Sequence, residues 1–459
     1  MEMKVDVMSR EVIKSDSPAS HDRLKLSFFD LSSPPIYIST IFFYKDLVRE
    51  SSEIISARLK SSLSKTLSRF YPLAGRIEGF SINCNNEGVV FTEARTNLLL
   101  SDLLKNNLDS LEKFLPLIAP EDSAGAWPLL NVKVSFFGSG SGIAVTVAIS
   151  HQIFDVASLL TFVQVWAATS KGISNDLAET TPYFAGATIY PPPDSSFHSP
   201  TVDDLSKFTG KCVTNRFVFK SSKIAELKRK AASESVPVPT RVEVITSLVW
   251  RCARNASRSN SATQKSTLMI QAMDLRLRIP SYVLSRAAIG NLQSIFFLKK
   301  DADSEMGMGK IVAEFRKAKE GVNEMIRESL RSYNTSSSIT TTTLGQTLLS
   351  LIGNYVVEVK PDMDLYTITS WCKKPFYEVD FGWGTPIWIG SPSHIICENL
   401  VYVVLMDSKD GEDVEAWVSI PKQDMPVFVR DQELLTYALL NPPVLIPLNL
   451  SLEHHHHHH

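Results

Sequence analysis

Histidine is scarce in this chain of 459 residues. Ten are present, but His454 to His459 follow Leu452-Glu453 as an expression tag, leaving His21, His151, His198 and His394. Cysteine is scarcer: Cys84, Cys212, Cys252, Cys372 and Cys397 are odd in number, and no two lie closer than 25 positions. That spacing excludes a disulfide framework and a CxxC metal site, so no metal is expected, and it fits a reducing compartment, the cytosol. An excess of either charge is also missing. Against 49 acidic residues stand 47 basic ones, a net charge of −2, with 44% of the chain hydrophobic. Such a balance excludes a disordered chain and argues against a nucleic-acid reader that depends on phosphate contacts. No apolar run approaches the roughly 20 residues that cross a bilayer, so no membrane partner is expected. Met1 to Ser20 interleaves Lys4, Asp6, Arg10, Glu11, Lys14 and Asp16 with apolar residues, unlike a signal peptide.

What is present is an alternation of strands and helices without a solenoid repeat. Ile54, Ile55, Leu59, Leu63 and Leu67 give Ser51 to Phe70 a helical period. Leu129 to Phe137 and Gly142 to Ser150 read as strands joined by a turn, Gly138-Ser-Gly-Ser141. Val156 to Ser170 is apolar nearly all round and predicts a buried helix. Further helices are expected at Ser222 to Ser233, Arg241 to Ala256 and Glu305 to Leu330. Strands are expected at Ile295 to Leu298, Val401 to Met406 and Ala416 to Ile420. Gly186 to Pro200, with Pro191-Pro-Pro193, suits an extended crossover, and Asn334 to Thr343 reads as a low-complexity surface loop. Length and mixed order predict an α/β protein of two domains, 1–185 and 219–451, joined by a crossover at 186–218 and followed by the tag at 452–459.

The sharpest local feature is the β-branched run Ile143 to Ser150, which ends at His151 with a buried helix starting soon after. A side chain at a strand end is held by a rigid scaffold, and imidazole can take and return a proton near neutral pH. The same pattern also suits a satisfied core histidine, with Asp155 only capping the helix.

His151-x-x-x-Asp155, followed by Asp380-Phe-Gly-Trp-Gly384, resembles the BAHD family of plant acyl-CoA-dependent acyltransferases. Leu63 to Ile77, Ser247 to Ala253, Asp274-Leu-Arg-Leu-Arg278, Gly290-Asn291 and Thr369-Ser-Trp-Cys372 are similar to its other segments, in family order. Val156 departs from the glycine often found there, and Asp274-Leu replaces a commoner pair before the arginines.

The resemblance implies two similar chloramphenicol-acetyltransferase-like α/β domains with a channel between them, a monomer, and acetyl-CoA as co-substrate with no tightly bound cofactor. His151 would be the general base for an alcohol acceptor, with Thr369 and Trp371 at the oxyanion or acyl group. Asp155 would be a structural anchor paired with an arginine, Arg278 being preferred over Arg276. Gly382 and Trp383 would shape a loop, as would Asp380, for which a proton-handling role is the lesser reading. CoA would meet Arg276, Arg278, Ser370, Lys373 and Ser247. The run Val5 to Tyr44 looks most like alkaloid acetyltransferases, and the resemblance places Pro35, Tyr37 and Ser39 at the acceptor pocket and Phe428 at the acyl end. Cys372 reads as structural.

Overall fold

The computed structural model describes residues 3–45, 50–118, 127–172, 181–198, 211–331, 343–391 and 401–446. Two sheets organise them. The first runs in the order Asp6–Ile13, Val89–Arg95, Leu130–Phe136, Gly142–Ser150, Tyr37–Lys45 and Trp388–Gly390. Its strands pair antiparallel except for Val89–Arg95 with Leu130–Phe136. Against it packs the helix Ser52–Arg69, whose Leu59 carbonyl accepts from the indole N–H of Trp166 on the helix Val156–Lys171 at 3.2 Å.

The second sheet runs Gln293–Lys300, Thr267–Asp274, Asp364–Ser370, Tyr402–Asp407, Val414–Pro421, Cys212–Phe219 and Leu439–Leu440. Three neighbours, Thr267–Asp274, Asp364–Ser370 and Tyr402–Asp407, are parallel, so their carboxyl ends open on one edge. The helices Ser221–Ala231, Arg241–Ser259 and Met308–Leu330 bury their apolar stripes in this half's core. The helix ends follow local chemistry. Thr240, the residue before Arg241, and Glu243 in the first turn form a capping box, which is why that helix starts there.

The expected strands and helices are present with shifted ends, and the turn at Gly138–Gly140 turns sharply, with φ of +56° at Ser139 and +64° at Gly140. Two placements bear on the division into domains. Residues 186–218 are not a plain crossover: they hold the short helix Gly186–Ile189 and most of the strand Cys212–Phe219. Nor does everything after 219 belong to the second half. Trp388–Gly390 pairs antiparallel with Tyr37–Lys45, and Phe381 and Trp383 sit in the first core. Apolar side chains in the second half of the chain thus complete the first half's interior. The expected surface loop lies outside the described residues up to 342, and Thr343 opens the helix Thr343–Glu358. No helix among the described residues is long and apolar enough to cross a membrane.

Candidate active site

All nine residues of the strand Gly142–Ser150 are buried, which fixes its end firmly. The next residue, His151, donates its main-chain N–H to the Ile36 carbonyl at 2.9 Å. Its ring Nδ1 lies 3.2 Å from the Phe154 carbonyl. A carbonyl only accepts, so Nδ1 carries the hydrogen and Nε2 keeps a lone pair. Burial draws the imidazole below its ordinary 6.5, while the Phe154 carbonyl and the Asp155 charge push it back up. The net is a neutral ring at neutral pH.

His151 lies on the wall of a cavity of about 700 Å³ between the two halves. Thr369 and Trp371 share that wall, brought there by the strand Asp364–Ser370 and the residue after it. Trp371 stacks on Phe376 with ring centres 5.6 Å apart and donates its main-chain N–H to the Leu405 carbonyl at 2.7 Å. Burial raises the Tyr402 phenol, which also lines the cavity and is hydrogen-bonded to Thr369. The remaining wall is largely apolar, with Ile38, Val156, Ile270, Ile352 and Val356 among its residues.

Asp155 is committed elsewhere. Its Oδ1 accepts from Ser158 N–H at 2.9 Å, capping the helix Val156–Lys171, and its Oδ2 accepts from Leu292 N–H at 3.1 Å. Arg276 grips both oxygens, Nη1 to Oδ2 at 2.9 Å and Nη2 to Oδ1 at 3.2 Å. Burial opposes ionisation of Asp155, but the Arg276 charge and these bonds outweigh it and hold the carboxyl low. It is therefore a cap and an anchor together, not a third member of a triad.

Several expected site residues fall elsewhere. The anchor's partner is Arg276, not Arg278, because the chain leaves the strand at Asp274 and makes a 3-10 turn, Leu275–Leu277, that buries the first arginine. All five guanidinium N–H groups of Arg276 have acceptors: Ala288 O, both Asp155 oxygens, Asp274 Oδ1 and Ser158 Oγ. None is left for a CoA phosphate. Ser247 is fully buried inside its helix, which also removes it from a CoA mouth. Ser370 Oγ accepts from the Cys372 N–H. Arg278 is half-buried with its Nε unpartnered, and Lys373 is exposed with φ of +63°. These two remain near the open ends of the parallel strands.

On the acceptor side, Ile38 faces the cavity, so its strand neighbours Tyr37 and Ser39 point away. Tyr37 instead donates to the Pro128 carbonyl at 2.5 Å. Ser33 and Pro34 line the wall where Pro35 was expected. Phe428 is wholly buried against Phe217 in the second core. Asp380 is off the cavity wall. Its Oδ1 accepts from the N–H groups of Gly382 and Gly384 at 2.8 and 3.1 Å, and its Oδ2 pairs with Lys171 at 3.1 Å. Both oxygens are engaged by the loop and its support. Gly382 supplies a φ of +127° for that loop, and Trp383 packs against Phe381. Sequence reasoning missed Ile38, Tyr402 and Gln293 as wall residues, since nothing local marks which face of a buried strand meets a cavity.

Known proteins match this arrangement over its whole length. A family model described as the Transferase family matches residues 3–435. The BAHD acyltransferase BIA1 of Arabidopsis thaliana is 61% identical over 448 residues, 97% of this chain and 100% of that protein. The chain belongs to the BAHD acyltransferase family. Minovincinine 19-hydroxy-O-acetyltransferase of Catharanthus roseus is 32% identical, across 95% of this chain and 98% of that one. Among solved structures, vinorine synthase is 29% identical and superposes with a TM-score of 0.76, covering 95% of this chain and 98% of its own. This BAHD enzyme thus shares the two-domain α/β fold of vinorine synthase, and acyl-CoA is the family's co-substrate.

Proposed function

We propose that this acyltransferase moves an acetyl group from acetyl-CoA to a hydroxyl of a polycyclic specialised metabolite, with a monoterpene indole alkaloid as the first acceptor class to test. The observation that carries the reading is the His151 ring, with Nδ1 tied to Phe154 and Nε2 unprotonated, on one cavity wall with Thr369 and Trp371. Nε2 accepts the proton of the acceptor hydroxyl as its oxygen attacks the thioester carbonyl. The C–S bond breaks from the tetrahedral oxyanion, and the thiolate of CoA leaves with the proton that His151 returns. Donors aimed at the oxyanion stabilise it, and the Thr369 hydroxyl and Trp371 indole are the candidates. No acyl-enzyme is invoked, since no nucleophile among the described residues is paired with the base.

An apolar cavity of about 700 Å³ suits a rigid, bulky acceptor. Similarity to minovincinine 19-hydroxy-O-acetyltransferase supports acetyl as the acyl group and a hydroxyl as its target. Arg278 and Lys373 are the cations proposed for the CoA phosphates.

A matrix of acyl-CoAs against alkaloid, other polycyclic and phenolic alcohols tests this. Acetyl-CoA with a polycyclic alcohol should give the highest kcat/KM. Preference for hydroxycinnamoyl-CoA would replace the acetyl reading, and product formed by cyclisation without acyl transfer would replace the reaction itself. His151→Ala should fall to near background while CoA still binds; undiminished transfer would remove the base assignment.

A further inference from the structure

Asn291 is fully buried in the second half, just after the short strand Ala288–Ile289, yet it acts on the first half. Its Nδ2 donates to the main-chain carbonyl of His151 at 2.7 Å and to Asp30 Oδ1 at 3.0 Å. Burial pushes the Asp30 carboxyl up to about 7, but the His151 carbonyl can only accept, so the amide faces one way and its own Oδ1 is left buried without a partner. A buried amide oxygen left unpaired is unfavourable. The orientation is therefore dictated by what the nitrogen holds.

Asp30 divides its carboxylate between two tasks. Oδ2 accepts from Ser27 N–H at 2.8 Å to close the capping box of the helix Phe28–Ser32, while Oδ1 takes Asn291. The residues after this helix, Ser33 and Pro34, form cavity wall. The His151 peptide is thus held at three points: its N–H by Ile36 O, its carbonyl by Asn291, and its ring by Phe154 O. Of these, the carbonyl contact is the one made by the opposite half of the molecule. It is made to an oxygen two bonds from the Cα that carries the reacting imidazole, whereas the Asp155 anchor acts four residues further on.

We propose that Asn291 is a positioning residue for acyl transfer, setting the His151 main chain and so the direction of Nε2, and that Asp30 holds the Asn291 amide in register. This rests on His151 being the base. A misplacement of about 1 Å at a reacting group is enough to lower a rate on the order of a hundredfold, so a single lost bond here should be read in turnover.

The test uses the full chain, after wild-type transfer to one acceptor has been established; absence of any transfer would fault the proposed function and not this assignment. Asn291→Ala should lower kcat on the order of ten- to a hundredfold, with KM for acceptor and acetyl-CoA little changed. The acid limb of its kcat–pH profile should move, because the ring's enclosure changes with its tilt. Asp30→Ala should follow it. Asp30→Asn still offers Oδ1 to Asn291 but turns its amide NH2 toward Ser27 N–H, so that half of the capping box is lost while Asp30 N–H to Ser27 Oγ remains, and kcat should stay well above that of Asp30→Ala. Melting temperatures are recorded for all three. Turnover per folded molecule that is unchanged in both alanine variants overturns the proposal, and so does Asp30→Asn falling as far as Asp30→Ala.

Discussion

Arg276 and Asp155 meet in a bidentate ion pair that joins the two halves, each side chain at most 4% exposed. The pair lies next to the base without touching its chemistry. Removing one partner leaves a desolvated charge, at about 3–5 kcal/mol. Asp155→Ala and Arg276→Met should each lose roughly that much in denaturant unfolding, and the double variant should lose less than the sum. An inactive Asp155→Ala is therefore expected without any catalytic role for the carboxylate. Additive losses would show that the two side chains are not coupled.

His151 and Asp155 both favour the higher pH, one through rate and the other through stability. Burial depresses the His151 imidazole, so the neutral base is already formed below the ordinary 6.5. Initial rates should rise with pH to a plateau, and the midpoint of that acid limb should fall below 6.5. A midpoint above it would mean that the ring gains a proton too easily for this environment. Asp155 is depressed as well, burial being outweighed by Arg276. Its contribution to stability is fully present above the unfolded carboxyl value and drains away as pH falls through the lower folded one. Acid unfolding of Asp155→Asn should accordingly be less steep than that of wild type.

Where periodicity alone decides, the chain was legible. The run of β-branched residues before His151 is a strand, and the apolar segment after Asp155 is a helix. What failed was parity. The strand Tyr37–Lys45 is buried through its first eight residues, so no polar alternation told which side met the cavity, and Ile38 was passed over for Tyr37 and Ser39. Arg276 and Arg278 sit two apart, but Arg276 lies within a 3-10 turn and Arg278 caps its end, so a strand's period of two does not apply. Asn291 reaches Asp30 across 261 positions and His151 across 140, distances at which a single sequence carries no local signal. Trp383 sits in the opposite half's core, a placement that comes only with the long-range pairing of Trp388–Gly390.

The Asp380 loop gives a clean separation of structure from chemistry. Asp380→Asn keeps an oxygen for the Gly382 and Gly384 N–H groups and gives up only the part-exposed Lys171 pair, which such geometry makes worth little. It should be near wild type in melting temperature and turnover. Asp380→Ala leaves both N–H groups without that acceptor and should lose about 1–3 kcal/mol, with kcat of the folded fraction unchanged. A folded, inactive Asp380→Asn would restore the proton-handling role.

Val156 offers the most direct control of acceptor scope. It opens the helix after Asp155 and also forms cavity wall beside His151, at a position where the BAHD pattern often has glycine. Its branched side chain therefore subtracts space next to the base, while contributing to burial in the first core. Val156→Gly should lose roughly 0.5 kcal/mol or less from helix propensity, since valine is itself a poor helix former, and more from burial. In exchange the wall recedes by an isopropyl group. Apolar pockets discriminate by roughly 1–3 kcal/mol per methylene, so kcat/KM for bulkier donors or acceptors should rise about tenfold relative to the preferred pair. Parallel rate measurements with butyryl-CoA and acetyl-CoA, on one acceptor and then on a larger one, assign the gain to the acyl or the acceptor side. An unaltered ratio in both arms would mean that Val156 does not limit the space in which transfer takes place.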